Sequence, residues 1–141
     1  VHIIPKFELF EENNNIIIEK DSGKLPTVIN INKNALNNTF FRKTIWTGSN
    51  LQMTLMTVED SIGLEVHDVD QFIRIESGEC LIEMGKSKDS LDFKTNANQN
   101  YGIFIPAGYY HNITKIGIIE LKLSAIYAPV EHEKGTINIK K

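Results

Sequence analysis

A single cysteine, Cys80, stands in this chain. No intramolecular disulfide can brace it, and a cytoplasmic location is the expectation. Cys80 sits in the apolar run Cys80-Leu81-Ile82, where a buried small hydrophobe is expected rather than a nucleophile. Long apolar runs are also missing. The purely aliphatic ones reach only three residues, as at Ile16 to Ile18, so no membrane-spanning segment is expected. The opening VHIIPKFELF lacks a basic head followed by a long apolar stretch, and no secretory leader is expected. No Lys/Arg-rich stripe appears and the net charge is -3, which removes the electrostatic basis for binding nucleic acid. The chain has no phosphate-cradling Gly-rich loop and no Ser/His/Asp order that suggests a hydrolase. His132-Glu133 lacks the second histidine of a zinc-protease motif and is discounted. Asn37-Asn38-Thr39 and Asn112-Ile113-Thr114 fit the glycosylation pattern, which means nothing without secretion.

What is present is alternation with period two. Leu51, Met53 and Leu55 alternate with Gln52 and Thr54; Ile119, Leu121, Leu123 and Ala125 alternate with Glu120, Lys122 and Ser124; Ile73 and Ile75 flank Arg74. Such patterns mark half-buried strands. Further strands are expected at 16–19, 27–31, 79–84, 91–95, 101–105 and 111–114. Turn chemistry separates them: Ser77-Gly78, the polar hairpin tip 85–90, and Pro106-Ala107-Gly108, where proline fixes one φ and glycine permits the other. Helix is confined to one short turn over 32–38, capped by Asn32. Residues 11–15 read as a polar loop. Many short strands in 141 residues predict one all-β domain, a sandwich or barrel. The polar tail after Val130 is expected to fray or to lie along a sheet edge.

Two blocks concentrate metal-ligating residue types: GLEVHDVDQFIRIESG at 63–78 and NYGIFIPAGYYHNI at 100–113. Glu65 and His67 are two apart, so on an extended chain they project from one face. A fold-back over Asp68-Val69-Asp70 would turn Gln71 to the same interior, and His111 opens a strand after the Pro-x-Gly turn. Carboxylate, imidazole, amide oxygen and imidazole together suit a borderline divalent ion, Zn, Fe, Mn, Ni or Co. Asp70 is the rival to Gln71, because neighbours on a strand face opposite sides unless a bulge re-aims one.

The two blocks resemble the paired motifs of the cupin superfamily. Glu65, His67 and Gln71 fall on the first motif's His, His and Glu positions, and Gly78 on its closing glycine. Pro106, Gly108 and His111 match the second motif as they stand, while Glu59 replaces the first motif's opening Gly, and Asn100 and Lys115 replace the second motif's opening Gly and closing Asn. Phrases such as WTGSNLQMTLM and LKLSAIYAPVEHEKGT are similar to small bacterial single-domain cupins often labelled mannose-6-phosphate isomerase-like. The resemblance implies a jelly-roll barrel, a double-stranded antiparallel β-helix, as one cupin domain over 1–141: an arm over 1–45, the barrel over 46–130 and a tail over 131–141. It also implies a divalent metal held by Glu65, His67, Gln71 and His111, and a homodimer joined through sheet edges, the arm pairing across it. Two functions stand open. One is a metal-dependent enzyme acting on a small polar metabolite, such as a sugar or sugar phosphate, in isomerase-like chemistry, with an iron oxygenase as a variant. The other is a non-catalytic small-molecule binding or sensing module with a weak or vestigial metal site.

Other polar and aromatic residues receive plainer readings. Arg42-Lys43 is expected to face solvent, and Arg74 and Lys122 to lie on a solvated surface or a subunit contact. Phe40, Phe41 and Trp46 are expected in the core or an interface. Tyr109 and Tyr110 either line a pocket mouth or pack at a rim.

Overall fold

The computed structural model describes residues 17–141; the polar loop expected at 11–15 and the start of the arm lie outside them. One helix, α1 (Ile31–Asn37), precedes nine strands: β1 (Arg42–Thr47), β2 (Gln52–Val58), β3 (Asp70–Ser77), β4 (Glu79–Gly85), β5 (Phe93–Asn98), β6 (Gly102–Ile105), β7 (Tyr110–Ile116), β8 (Leu121–Ala128) and β9 (Ile137–Asn138). Six strands form one antiparallel sheet in the order β6-β3-β8-β2-β1-β9, and three form a second, β5-β4-β7. The two sheets bear out the all-β sandwich or barrel read from the alternation and make the jelly roll that the resemblance implied.

Fully buried Ile73, Ile75, Cys80, Ile113, Leu121, Leu123 and Ala125 fill the space between the sheets. Each buried aliphatic of this size contributes about 1.5–3 kcal/mol through water removal. Cys80 is among them, as expected, and burial pushes its thiol up to about 11. Gly78 makes the β3–β4 turn at φ 89°, a left-handed conformation that favours glycine. A Cβ there would also sit 2.7 Å from the Glu120 carbonyl oxygen.

Several expectations are corrected. The 27–31 segment is irregular up to Asn30 and then becomes α1. The cap is Asn30, not Asn32: its side chain accepts a hydrogen bond from the Lys33 amide at 2.9 Å. Residues 17–19 form no strand; Ile16 lies outside the described residues. They run beside β1, where the Lys43 Nζ donates to the Ile18 carbonyl at 2.7 Å. β1 itself begins at Arg42, inside the segment read as an arm.

Lys122 is not at the surface. It is 3% exposed and donates to the Asn38 carbonyl at 2.5 Å and to Thr57 Oγ1 at 3.2 Å. The reason is that α1 packs over β8, β2 and β3, so the polar phase of β8 is covered as well. Beneath that cover Glu76, fully buried, accepts from Arg74 at 2.6 Å, Asn32 at 2.9 Å and Ser124 at 2.7 Å. Those bonds offset the desolvation of its charge and tie the helix to the sheet. Trp46 is half-buried, its indole N–H donating to the Leu25 carbonyl at 2.8 Å. The tail takes the second of its two expected courses: β9 pairs with β1 at the sheet edge. No helix among the described residues is long and apolar enough to cross a membrane.

Candidate metal centre

The segment before β3 lies antiparallel along β7. Glu65 and His111 exchange both backbone hydrogen bonds at 2.9 Å, and the Gly108 amide donates to the His67 carbonyl at 2.8 Å. The Pro106–Gly108 turn therefore pins His67 beside the start of β7. Gly108 has φ 84°, which an L side chain adopts only at a cost. Extended backbone at Glu65 and His67 then sends both side chains to the interior face.

There Glu65, His67 and His111 converge, with one ligand atom from each all within 4.8 Å of one another. Glu65 Oε1 is 3.3 Å from His67 Nε2 and 4.0 Å from His111 Nε2. Its other oxygen, Oε2, accepts from the Arg42 guanidinium at 3.0 Å. The His111 Nδ1 lies 3.0 Å from the Tyr109 carbonyl. A carbonyl only accepts, so Nδ1 carries the proton and Nε2 presents its lone pair to the cluster. His67 Nδ1 is held in the same way by Glu131 Oε2 at 3.2 Å. Orientation of each imidazole from behind, by a carbonyl or a carboxylate, is the arrangement metal-ligating histidines use.

The electrostatics follow from this packing. Burial pushes the Glu65 carboxyl up, but the adjacent His67 imidazole and the Arg42 charge outweigh it and hold it below its ordinary value. Burial pushes His67 down, but Glu65 and Glu131 outweigh it and raise the imidazole. His111 is lowered, chiefly by burial, against the Tyr109 hydrogen bond.

Gln71 lies on the interior side, 4% exposed, directly across from Tyr127 on β8. Asp70 is exposed and accepts from the Ala107 amide at 2.9 Å. The amide, not the carboxylate, points inward. The buried Nε2 atoms of His67 and His111 and the Oε1 of Gln71 have no hydrogen-bond partner among the described residues. The two orphaned imidazole nitrogens beside the Glu65 carboxylate fit a divalent cation, since such atoms are otherwise costly to bury.

Four neighbours escaped the sequence reading. Arg42, expected in solvent, is 8% exposed, and its guanidinium lies 5.1 Å from the Phe41 ring centre. Tyr127 is fully buried, and burial pushes its hydroxyl up to about 12; it continues the Leu121-Leu123-Ala125 alternation, a signal already present in the sequence. Glu131 and the discounted His132 come from the tail. The His132 ring lies 4.9 Å from that of Tyr127 and 6.3 Å from that of His67. Burial, with the charges of Arg42 and His67, pushes it down to about 4. Tyr109 is half-buried and packs against the core.

YrkC of Bacillus subtilis, an uncharacterized protein, is 45% identical over 130 residues, covering 90% of this chain and 69% of its own length. The crystal structure of BH2720 from Bacillus halodurans superposes with a TM-score of 0.84 at 43% identity, over 86% of this chain and 94% of that one. A cupin-2 domain protein from Shewanella frigidimarina shares the fold, with a TM-score of 0.56 at 24% identity over 70% of this chain and 92% of its own. The chain belongs to one family with YrkC and BH2720, and its fold is that of the cupins. No family model matches the chain.

Proposed function

We propose that Glu65, His67 and His111, with the amide oxygen of Gln71, hold one divalent ion of the Zn, Fe, Mn, Ni or Co group. We further propose that the protein acts through it on a small polar metabolite, such as a sugar or sugar phosphate, in isomerase-like chemistry. The observation that carries the reading is the pair of unpartnered Nε2 atoms of His67 and His111 facing one carboxylate oxygen, each ring held from behind at Nδ1. A divalent ion there would supply Lewis-acid polarisation of a carbonyl or hydroxyl oxygen.

Isomerisation also needs a base beside that oxygen. Glu65 does not serve, because Arg42 holds one of its oxygens and two imidazoles face the other. His132 supports the enzymatic reading by its place: it is a third imidazole beside the site, its ring 6.3 Å from that of His67. The non-catalytic binding reading draws on Gln71. An amide brings no charge, so attraction to a dication is weaker than a carboxylate there would give.

Elemental analysis of the untagged protein, followed by turnover assays on sugars and sugar phosphates, tests both. Bound metal with turnover supports the enzyme; bound metal with ligand retention and no turnover supports the binding module. No metal after incubation with each of the five ions rejects the assignment. A cytoplasmic homodimer belongs to the same proposal, and light scattering with cell fractionation tests it.

A further inference from the structure

Arg42 opens β1, and its head group is held from several sides. Its register partner on β9 is Asn138, whose Oδ1 accepts from Nη1 at 3.5 Å. The neighbouring Phe41 ring centre lies 5.1 Å away, and the Tyr127 hydroxyl interacts with the guanidinium as well. Nη2 donates to Glu65 Oε2 at 3.0 Å. The Arg42 side chain is 10% exposed and that of Glu65 21%, so water competes little for this pair. A guanidinium is planar, always charged and spreads its donors in a fixed fork. Buried among these partners it has little freedom to turn, and the edge pairing of β1 with β9 thereby sets where one oxygen of Glu65 points.

That constraint bears on how Glu65 meets a cation. A carboxylate coordinates a metal through one oxygen or through both. Here the two oxygens face different groups. Oε1 lies 3.3 Å from His67 Nε2 and 4.0 Å from His111 Nε2, while Oε2 is taken by Arg42. A cation seated among Oε1 and the two imidazole nitrogens gains Oε2 only by displacing the guanidinium. Breaking a buried pair leaves an uncompensated charge behind. The guanidinium also repels the cation from that side, so occupancy and sign act together.

We propose that Arg42 is a positioning residue that restricts Glu65 to coordination through one oxygen, leaving a position on the bound ion free for a substrate oxygen. The inference rests on the metal reading above and adds to it a role for a residue that touches neither ion nor substrate. Catalytic zinc sites keep such a position open, whereas structural ones close it. A second oxygen from Glu65 would fill it.

Removing the positive charge strengthens attraction to any dication, so affinity alone does not report which oxygens bind. The infrared bands of the carboxylate do. Its antisymmetric and symmetric stretches lie further apart for one-oxygen than for two-oxygen coordination. The test is the difference spectrum between zinc-loaded and zinc-free protein, with Glu65→Gln identifying the bands. The wild type shows the wide separation. Arg42→Met keeps the side-chain length, removes the donors and the charge, and shifts the separation to the narrow one. Arg42→Lys keeps the charge and a donor and retains the wide one. An Arg42→Met variant that binds zinc with the wide separation overturns the inference while the metal reading stands. A narrow separation in Arg42→Lys as well makes the change a packing effect and overturns it too. The wild-type spectrum is read independently of how any variant folds, and a narrow separation there overturns the inference by itself. If the wild type takes up no zinc, the metal reading fails and this inference with it.

Discussion

Replacing Gln52 with alanine removes four hydrogen bonds: three that join β2 to the tail, accepted from the Glu131 and His132 amides and donated to the His132 carbonyl, and one donated to Thr47 in β1. Each is worth about 1 kcal/mol net. The amides of Glu131 and His132 belong to a segment near the surface and regain water, so the full sum is not reached. The expected loss is about 2–4 kcal/mol of unfolding free energy. For a chain of this size that lowers Tm by about 6–12 °C. Urea denaturation of metal-free protein measures it, with the m-value unchanged. The site should respond as well. Once the tail is released, Glu131 loses its fixed position on His67 Nδ1, 3.2 Å away, and affinity for a divalent ion falls about 10- to 100-fold, as expected when a partner orienting a metal-ligating histidine is lost. Gln52→Glu keeps the two acceptor bonds but loses both donors and buries a charge, so it is expected to be no more stable than the alanine variant. A loss below about 1 kcal/mol in Gln52→Ala, or an unchanged ion affinity, would refute the view that one buried amide holds the tail over the pocket.

Four further outcomes are expected. His111→Ala abolishes ion binding, because the fully buried ring supplies an unpartnered Nε2; elemental analysis showing full metal content sinks the assignment. Glu131→Gln lowers ion affinity by about 10-fold with little loss of fold, checked by metal titration beside a thermal melt. At Asp21, burial pushes the carboxyl up, but hydrogen bonds from Thr47, Gly23, Thr44 and Gly135 outweigh it and hold it below its ordinary 3.8. A depressed folded pKa stabilises above the unfolded value and is lost as pH falls through the folded one, so the deficit of Asp21→Asn is full at pH about 6 and shrinks below pH about 4; a deficit that stays constant in urea midpoints counts against it. Cys80, fully buried with its thiol pushed up to about 11, resists iodoacetamide at pH about 8 until the protein unfolds; rapid labelling of the native state would contradict its placement.

Much of the fold was legible because strands announce themselves locally. Ile73 and Ile75 around Arg74, and Leu121, Leu123 and Ala125 on every second position, give the sheet's inward face directly. Ser77-Gly78 and Pro106-Ala107-Gly108 gave turns, since their φ preferences act within the turn itself. Glu65, His67 and His111 were legible as a group through their spacing around those turns. The same rule failed at Lys122, where period two assigns the polar phase to solvent but α1 covers that face. It failed at 27–31, where an apolar, β-branched segment packs on the sheet without joining it.

Sequence alone determined the strands, the main turns and the paired motif positions, because these depend on the conformational preferences of residues close together in the chain. Only the tertiary structure decided that Gln71 rather than Asp70 faces inward, that Arg42 is buried against Glu65, and that Gln52 brings Glu131 and His132 back over the pocket. Gln52 and His132 are eighty positions apart. No local propensity records which of many distant polar groups will satisfy a buried amide. That choice is made when the sheets close and every buried donor and acceptor must find a partner.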